Sequence, residues 1–157
     1  MPSFAEIANK KANTIEKPPL PPVGNYIAMV IAEPTINKRE SANGDLEIID
    51  FSFQAQQALD DVDPDELAKF GGVKGVRVRH SFLFNTSPDE EARFRQTEYE
   101  LTRFLVDHLQ AGKETDSISQ LMGNAKGTMC QIEVGHRPDP KKADVFYPNI
   151  KSTMPID

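Results

Sequence analysis

A chain of 157 residues, 38% of them apolar and 12 of them proline, is long enough to bury one core without disulfide or metal staples and leaves substantial loops and ends outside it. Its one cysteine, Cys130, excludes an intrachain disulfide and any zinc site with more than one thiolate. A net charge of -6 excludes a histone-like coat of positive charge, and no apolar run approaches the roughly 20 residues that span a bilayer. "MPSFAEIANKK" lacks the basic-then-apolar pattern of a signal peptide, so the expectation is a soluble protein of a reducing cytoplasm with no membrane partner.

Residues 1–24 read as an arm, because "KPPLPPVG" fixes φ repeatedly and removes backbone donors; a short helix over 4–11 precedes it. "NYIAMVIAE" has the apolar and β-branched content of a first strand and is stopped by Pro34. "TINKRESANGD" then reads as a long hairpin tip with the turn signal Asn43-Gly44, and "LEIIDFSFQ" returns as a second strand. In that strand Ile49, Phe51 and Phe53 alternate with Asp50, Ser52 and Gln54, the period-two pattern of a half-buried strand.

Asp63-Pro64-Asp65-Glu66 and Ser87-Pro88-Asp89-Glu90 share a plan that starts helices: an oxygen acceptor at the cap, proline at the first helical position and a carboxylate to complete a capping box. The first helix ends at Gly71-Gly72. The second runs to about Gln110, with an apolar stripe of Phe94, Leu101, Phe104, Leu105, Val106 and Leu109 and a stop at Gly112. "GVKGVRVRHSFLF" lies between them as a third strand. After a turn of helix at "SISQLM", "TMCQIEV" and "DVFYPNI" supply a fourth and a fifth.

The resulting order β-β-β-α-β-β is that of an OB-fold, a mainly-β, five-stranded, partly open barrel with its main helix between strands three and four. On this plan the barrel domain spans 25–151, after the arm and before a short tail at 152–157. A generic α+β sheet is the alternative.

Motifs for chemistry are sparse. His80, His108 and His136 are far apart, and neither HExxH nor CxxC occurs. "DDVDPDE" alternates carboxylates like a calcium loop, but Glu66 stands where that loop needs glycine and Gly72 where it needs the bidentate glutamate. "GGVKGV" lacks the spacing and the terminal Lys-Ser/Thr of a phosphate loop, and no GxSxG elbow is present. No metal, cofactor or catalytic group is expected; Asp61, Asp63 and Asp65 are the only dense carboxylates a metal-dependent nuclease could use.

Charge is the informative signal. Lys and Arg against Asp and Glu sum to -4 over 51–70, +3 over 71–85 and -4 over 86–116, which leaves the third strand as a basic island. Arg77 and Arg79 share one face of that strand, with Val76, Val78 and Phe82 on the other. The loop between strands one and two carries Lys38 and Arg39, and the loop between strands four and five carries His136, Arg137, Lys141 and Lys142. These are the elements with which OB-folds hold oligonucleotides. Tyr26 and Tyr147 are the candidates for stacking on bases. A plainly solvated outer face accounts for Arg77 and Arg79 alone, and Phe51, Phe53, Phe82 and Phe84 belong in the core. His80 and His136 read as ordinary polar positions, and Cys130 as a small buried one.

The segments "LPPVGNYIAMVIAE", "SANGDLEIIDFSF", "GVKGVRVRHSFLF", "ELTRFLVDHLQAG" and "MGNAKGTMCQIEVGHRPD", within residues 20–150, give a chain that resembles the OB-fold single-stranded DNA-binding proteins encoded by bacteriophages. The resemblance implies non-enzymatic coating of single-stranded DNA during phage replication, recombination or repair, in the cytoplasm of a bacterial host. Partners would be the DNA itself and replication or recombination proteins, with oligomers formed through the N-terminal arm. "STMPID" departs from the acidic tail by which many such proteins recruit partners. A protein-interaction or virion-structural module is the alternative function, and a metal-dependent nuclease the third.

Overall fold

A computed structural model describes residues 3–14, 19–40, 42 and 44–156. Six antiparallel strands form one sheet: β1 (Gly24–Val30), β2 (Thr35–Arg39), β3 (Leu46–Ala58), β4 (Arg77–Asn85), β5 (Met129–Pro138) and β6 (Phe146–Met154). The long β3 organises them. One of its edges is shared between β1, paired along Phe53–Ala58, and β2, paired along Leu46–Asp50; the other carries β4 along Leu46–Gln54. β5 pairs with the far side of β1, and β6 with β5. The chain is therefore mainly β, in the order β4-β3-β1-β5-β6 with β2 beyond the end of β1. No backbone ladder joins β4 to β6 among the described residues, so the sheet is open at that seam, although the two strands approach within 8 Å between Cα atoms.

The five expected strands are all present, and β2 is an addition: Thr35–Arg39 pairs with β3 where a hairpin tip was expected. Asn43 of the turn signal lies outside the described residues. Gly44 has φ +119, and a Cβ there would stand 2.7 Å from Ser87 Cβ, so the tip packs too closely against the next connection to accept a side chain.

Helices fill the connections. They are α1 (Phe4–Ile7), α2 (Pro64–Phe70), α3 (Glu91–Arg103) and α4 (Ile118–Gly123). α2 starts as its sequence predicts: Asp63 Oδ1 accepts from the backbone N–H of Asp65 (2.8 Å) and Glu66 (3.2 Å), and left-handed Gly71 ends the helix. The plan at Ser87 differs. Its side chain caps nothing, its N–H donates to Asn85 Oδ1 (2.9 Å), and a 3-10 turn, Pro88–Glu90, leads into α3. The far end also departs from expectation, because regular α-helix stops at Arg103, a π turn covers Phe104–His108, and the chain leaves at Gln110 (φ 53) rather than Gly112. α4 carries a complete Ser117/Gln120 capping box.

The core lies on the inner side of the curved sheet, closed by the C-terminal half of α3. Phe51, Phe53, Phe82 and Phe84 are buried with Tyr26, Val78, Leu105, Ile132 and Cys130. Phe104 is the hub: its ring meets those of Phe51 (4.9 Å), Phe82 (5.2 Å) and Phe53 (6.2 Å). His80 belongs to this cluster rather than to an ordinary polar position, with its ring 4.8 Å from Phe82 and 5.2 Å from Phe104. Burial, helped by neighbouring His108, pushes the His80 pKa down to about 4. Between that value and the ordinary 6.5 the unfolded chain holds a proton that the folded chain does not, so stability must fall as pH drops through this window. Native protein is expected to lose up to about 3 kcal/mol from this group between about pH 7 and pH 4, a limb that urea melts should find missing in His80→Phe.

The ends of the domain extend past the predicted boundaries. Pro21 and Pro22 are buried; His136 Nε2 donates to Pro21 O (2.7 Å) and Tyr26 Oη to Pro22 O (2.6 Å), so the last part of the arm is seated on the sheet. β6 continues to Met154, and Thr153 Oγ1 bonds His108 Nδ1 (2.6 Å), which places 152–154 in the sheet rather than in a tail.

Candidate nucleic-acid interface

Directly opposed residues of an antiparallel pair share a face, so the register sorts the basic side chains. On the outer face, Arg77 lies in a row with Gln54 and Met29, Arg79 lies opposite Ser52, and Ser81 lies in a row with Asp50 and Thr35. Arg77 and Arg79 are exposed, and they line a shallow cleft of about 260 Å³ with Ile31 and Ser52. Asp50, the buried carboxylate of this face, accepts from Ser81 Oγ and from Asn37 Nδ2 (3.3 Å), which ties β2 and β4 across β3.

The β5–β6 hairpin brings the second basic group. Arg137 and Tyr147 are directly opposed, and both are exposed. Asp139 builds the tip: Oδ1 accepts from the backbone N–H of Lys141 (2.8 Å) and Lys142 (3.3 Å), and Oδ2 accepts from Tyr147 Oη (2.9 Å). That hydrogen bond, with the carboxylate's charge, raises the Tyr147 pKa. The hairpin lies beside β4, and a cleft of about 490 Å³ between them is lined by Arg79, Ser81, Arg137, Pro140, Tyr147 and Asn149. Among the described residues no carboxylate lines this cleft, and Asn149 Oδ1 is buried within its wall without a hydrogen-bond partner.

Arg79, Arg137 and Tyr147 thus come together from three strands. Lys141 and Lys142 stand exposed at the rim of the same hairpin, and Arg77 follows Arg79 along β4. Two expectations need correction. Lys38 and Arg39 sit on β2, where Lys38 opposes Glu47 and Arg39 opposes Leu46; Leu46 is six residues along β3 from Ser52, about 20 Å at strand rise, so this pair does not join the cleft. Tyr26 is 0% exposed and points into the core, with burial and the Asp61 and Glu66 charges raising its pKa to about 12, so it cannot stack on an external base.

Asp139 is the residue that reading by charge alone overlooks, because a carboxylate in a basic loop counts against binding there. Its signal is local: aspartate two residues ahead of Lys141 is the pattern of an Asx turn. Asp139→Ala is expected to release the tip and the Tyr147 hydroxyl together. Affinity for an oligonucleotide should fall several-fold despite the gain of positive charge, whereas a role in charge alone would raise it.

Two of the three carboxylates considered for metal chemistry, Asp61 and Asp63, are engaged elsewhere. Asp61 accepts from Asn25 N (2.9 Å) and Nδ2 (2.7 Å), which lowers its pKa, and Asp63 caps α2. Among the described residues no group of three or more His, Cys, Asp or Glu is placed to hold a metal ion, and no helix is long and apolar enough to cross a membrane. Compared with known protein families and with curated proteins, the chain matches none.

Proposed function

We propose that this chain is an oligonucleotide-binding barrel of the OB type, five-stranded and partly open at the β4–β6 seam. More particularly, we propose that it binds and protects single-stranded DNA with little sequence preference, without catalysis, as phage-encoded proteins of replication, recombination and repair do in the host cytoplasm. The topology supports the barrel: with β2 set aside, the five remaining strands follow the OB order 3-2-1-4-5, and α3 lies between the third and fourth. The observation that carries the function is the convergence of Arg79, Arg137 and Tyr147 on one cleft that, among the described residues, no carboxylate lines.

The chemistry follows from these side chains. Guanidinium groups on the outer face neutralise phosphates and release counterions, a contribution indifferent to base identity. Tyr147, its hydroxyl held by Asp139, presents a fixed ring for a base to stack on, worth about 1–3 kcal/mol per base for any of the four. Titration of labelled oligo-dT over about 50 to 200 mM salt tests the function. With Arg77, Arg79, Arg137, Lys141 and Lys142 engaged, log affinity should fall against log salt with a slope of about -3.5. Absence of binding at low salt, or affinity indifferent to salt, would contradict it.

A further inference from the structure

We propose that the bound strand continues from the β4–β6 cleft into the groove between β4, β6 and α3, where Arg93, Lys151 and Tyr99 form a second contact segment. This rests on the single-stranded DNA binding proposed above and concerns the path and length of the site.

The two depressions are continuous. His80 and Ser81 line both, and β6 passes from Ile150 in the cleft to Lys151 in the groove. The groove is the larger, at about 680 Å³. Like the cleft it combines cations with an exposed tyrosine: Arg93, Arg103 and Lys151 line it with Tyr99, which is 63% exposed, and Arg93 also lies 3.7 Å from Glu90 Oε2 on the helix surface. Arg103 Cζ lies 5.9 Å from the centre of the exposed Tyr99 ring, which couples the ring to the cations of the groove. Glu100 is the one carboxylate among the described residues that line the groove; Glu91 and Glu98 of the same helix line a separate depression with Phe94. Arg103 pairs through Nη1 with Asp107 (3.2 Å) and Glu114 (2.7 Å), so Arg93 and Lys151 are the cations of the groove assigned to the bound strand. A polyanion with stackable faces fits this combination.

The test compares oligo-dT of about 6 nucleotides, short enough for the first cleft, with one of about 16, the upper end of site sizes for one such barrel. The variant is Arg93→Gln/Tyr99→Ala/Lys151→Gln. Arg93 and Tyr99 are exposed, and an unchanged melting temperature with Tyr99→Ala as a single variant guards against misfolding. The short oligonucleotide should bind the triple variant within about twofold of wild type, while the long one binds at least about tenfold more weakly. The salt slope should become less negative by about 1.4 with the long oligonucleotide alone, for the two cations removed. Unchanged binding at both lengths would overturn the continued path and leave DNA binding standing, as it would if the groove served a protein. Equal losses at both lengths would also overturn it. Failure of wild type to bind either oligonucleotide would overturn the path together with the function on which it rests.

Discussion

Arg79→Ala combined with Arg137→Ala is expected to weaken binding of oligo-dT about a hundredfold, at about 1.5 kcal/mol for each charge-assisted contact removed. The two guanidinium groups come from different strands but line one cleft, so both losses fall on the same stretch of bound strand. The salt slope should become less negative by about 1.4, in proportion to the two cations lost. Both side chains are exposed on an outer sheet face, so thermal stability should stay nearly unchanged. Lys38→Ala with Arg39→Ala is the matched control. It removes the same charge from β2, remote from the cleft, and should alter affinity far less.

Phe104→Ala is expected to have the largest effect on the fold. The ring is 2% exposed and meets Phe51, Phe53, Phe82 and His80, so its removal leaves a cavity where α3 closes the sheet. Loss of a buried phenylalanine costs about 3–5 kcal/mol, and for a chain of this size that lowers Tm by about 10 °C. A functional consequence should accompany it. Phe104 opens the π turn whose His108 bonds Thr153 of β6, so the variant loosens the strand that carries Tyr147 and Lys151. Calorimetry should find the loss of Tm, and titration a several-fold loss of affinity even where the variant remains folded.

Legibility in the sequence tracked the strength of alternation. Over residues 49–55 of β3 and 77–79 of β4 apolar and polar residues alternate, and the faces assigned to Phe51, Phe53, Arg77 and Arg79 are those observed. β1 carries apolar residues on both faces, since Ile27 and Met29 point away from the core, and its phase could not be read; hence Tyr26 passed for a surface residue. Its burial is decided by partners distant in sequence, Ala58 on one side and Ile132 on the other. β2 had no pattern to read at all. Every one of its residues is exposed, and it is a strand because the thirteen residues of β3 extend past the end of β1 and offer an edge to pair with.

The site was legible to the same extent. Placing the basic groups of the third strand and of the hairpin between strands four and five on one cleft followed from the strand order, and the convergence of Arg79 with Arg137 agrees with it. The assignment of Lys38 and Arg39 failed because the length of the β2–β3 hairpin, and so its reach along the sheet, depends on a pairing that charge does not report. Asn149 and the groove beside α3 were out of reach for another reason. They exist only where β6 lies against β4, a contact between segments about 70 residues apart with no local signature.

The most direct test of the central claim is a map of backbone amide chemical shifts in wild-type protein during titration with oligo-dT. Binding through the β4–β6 cleft predicts shifts concentrated at 77–81 and 137–149, saturating together, with Tyr147 and Arg79 among the largest and α2 unmoved. No shifts at low salt, or shifts confined to β2 and α2 while 77–81 and 137–149 stay fixed, would contradict it.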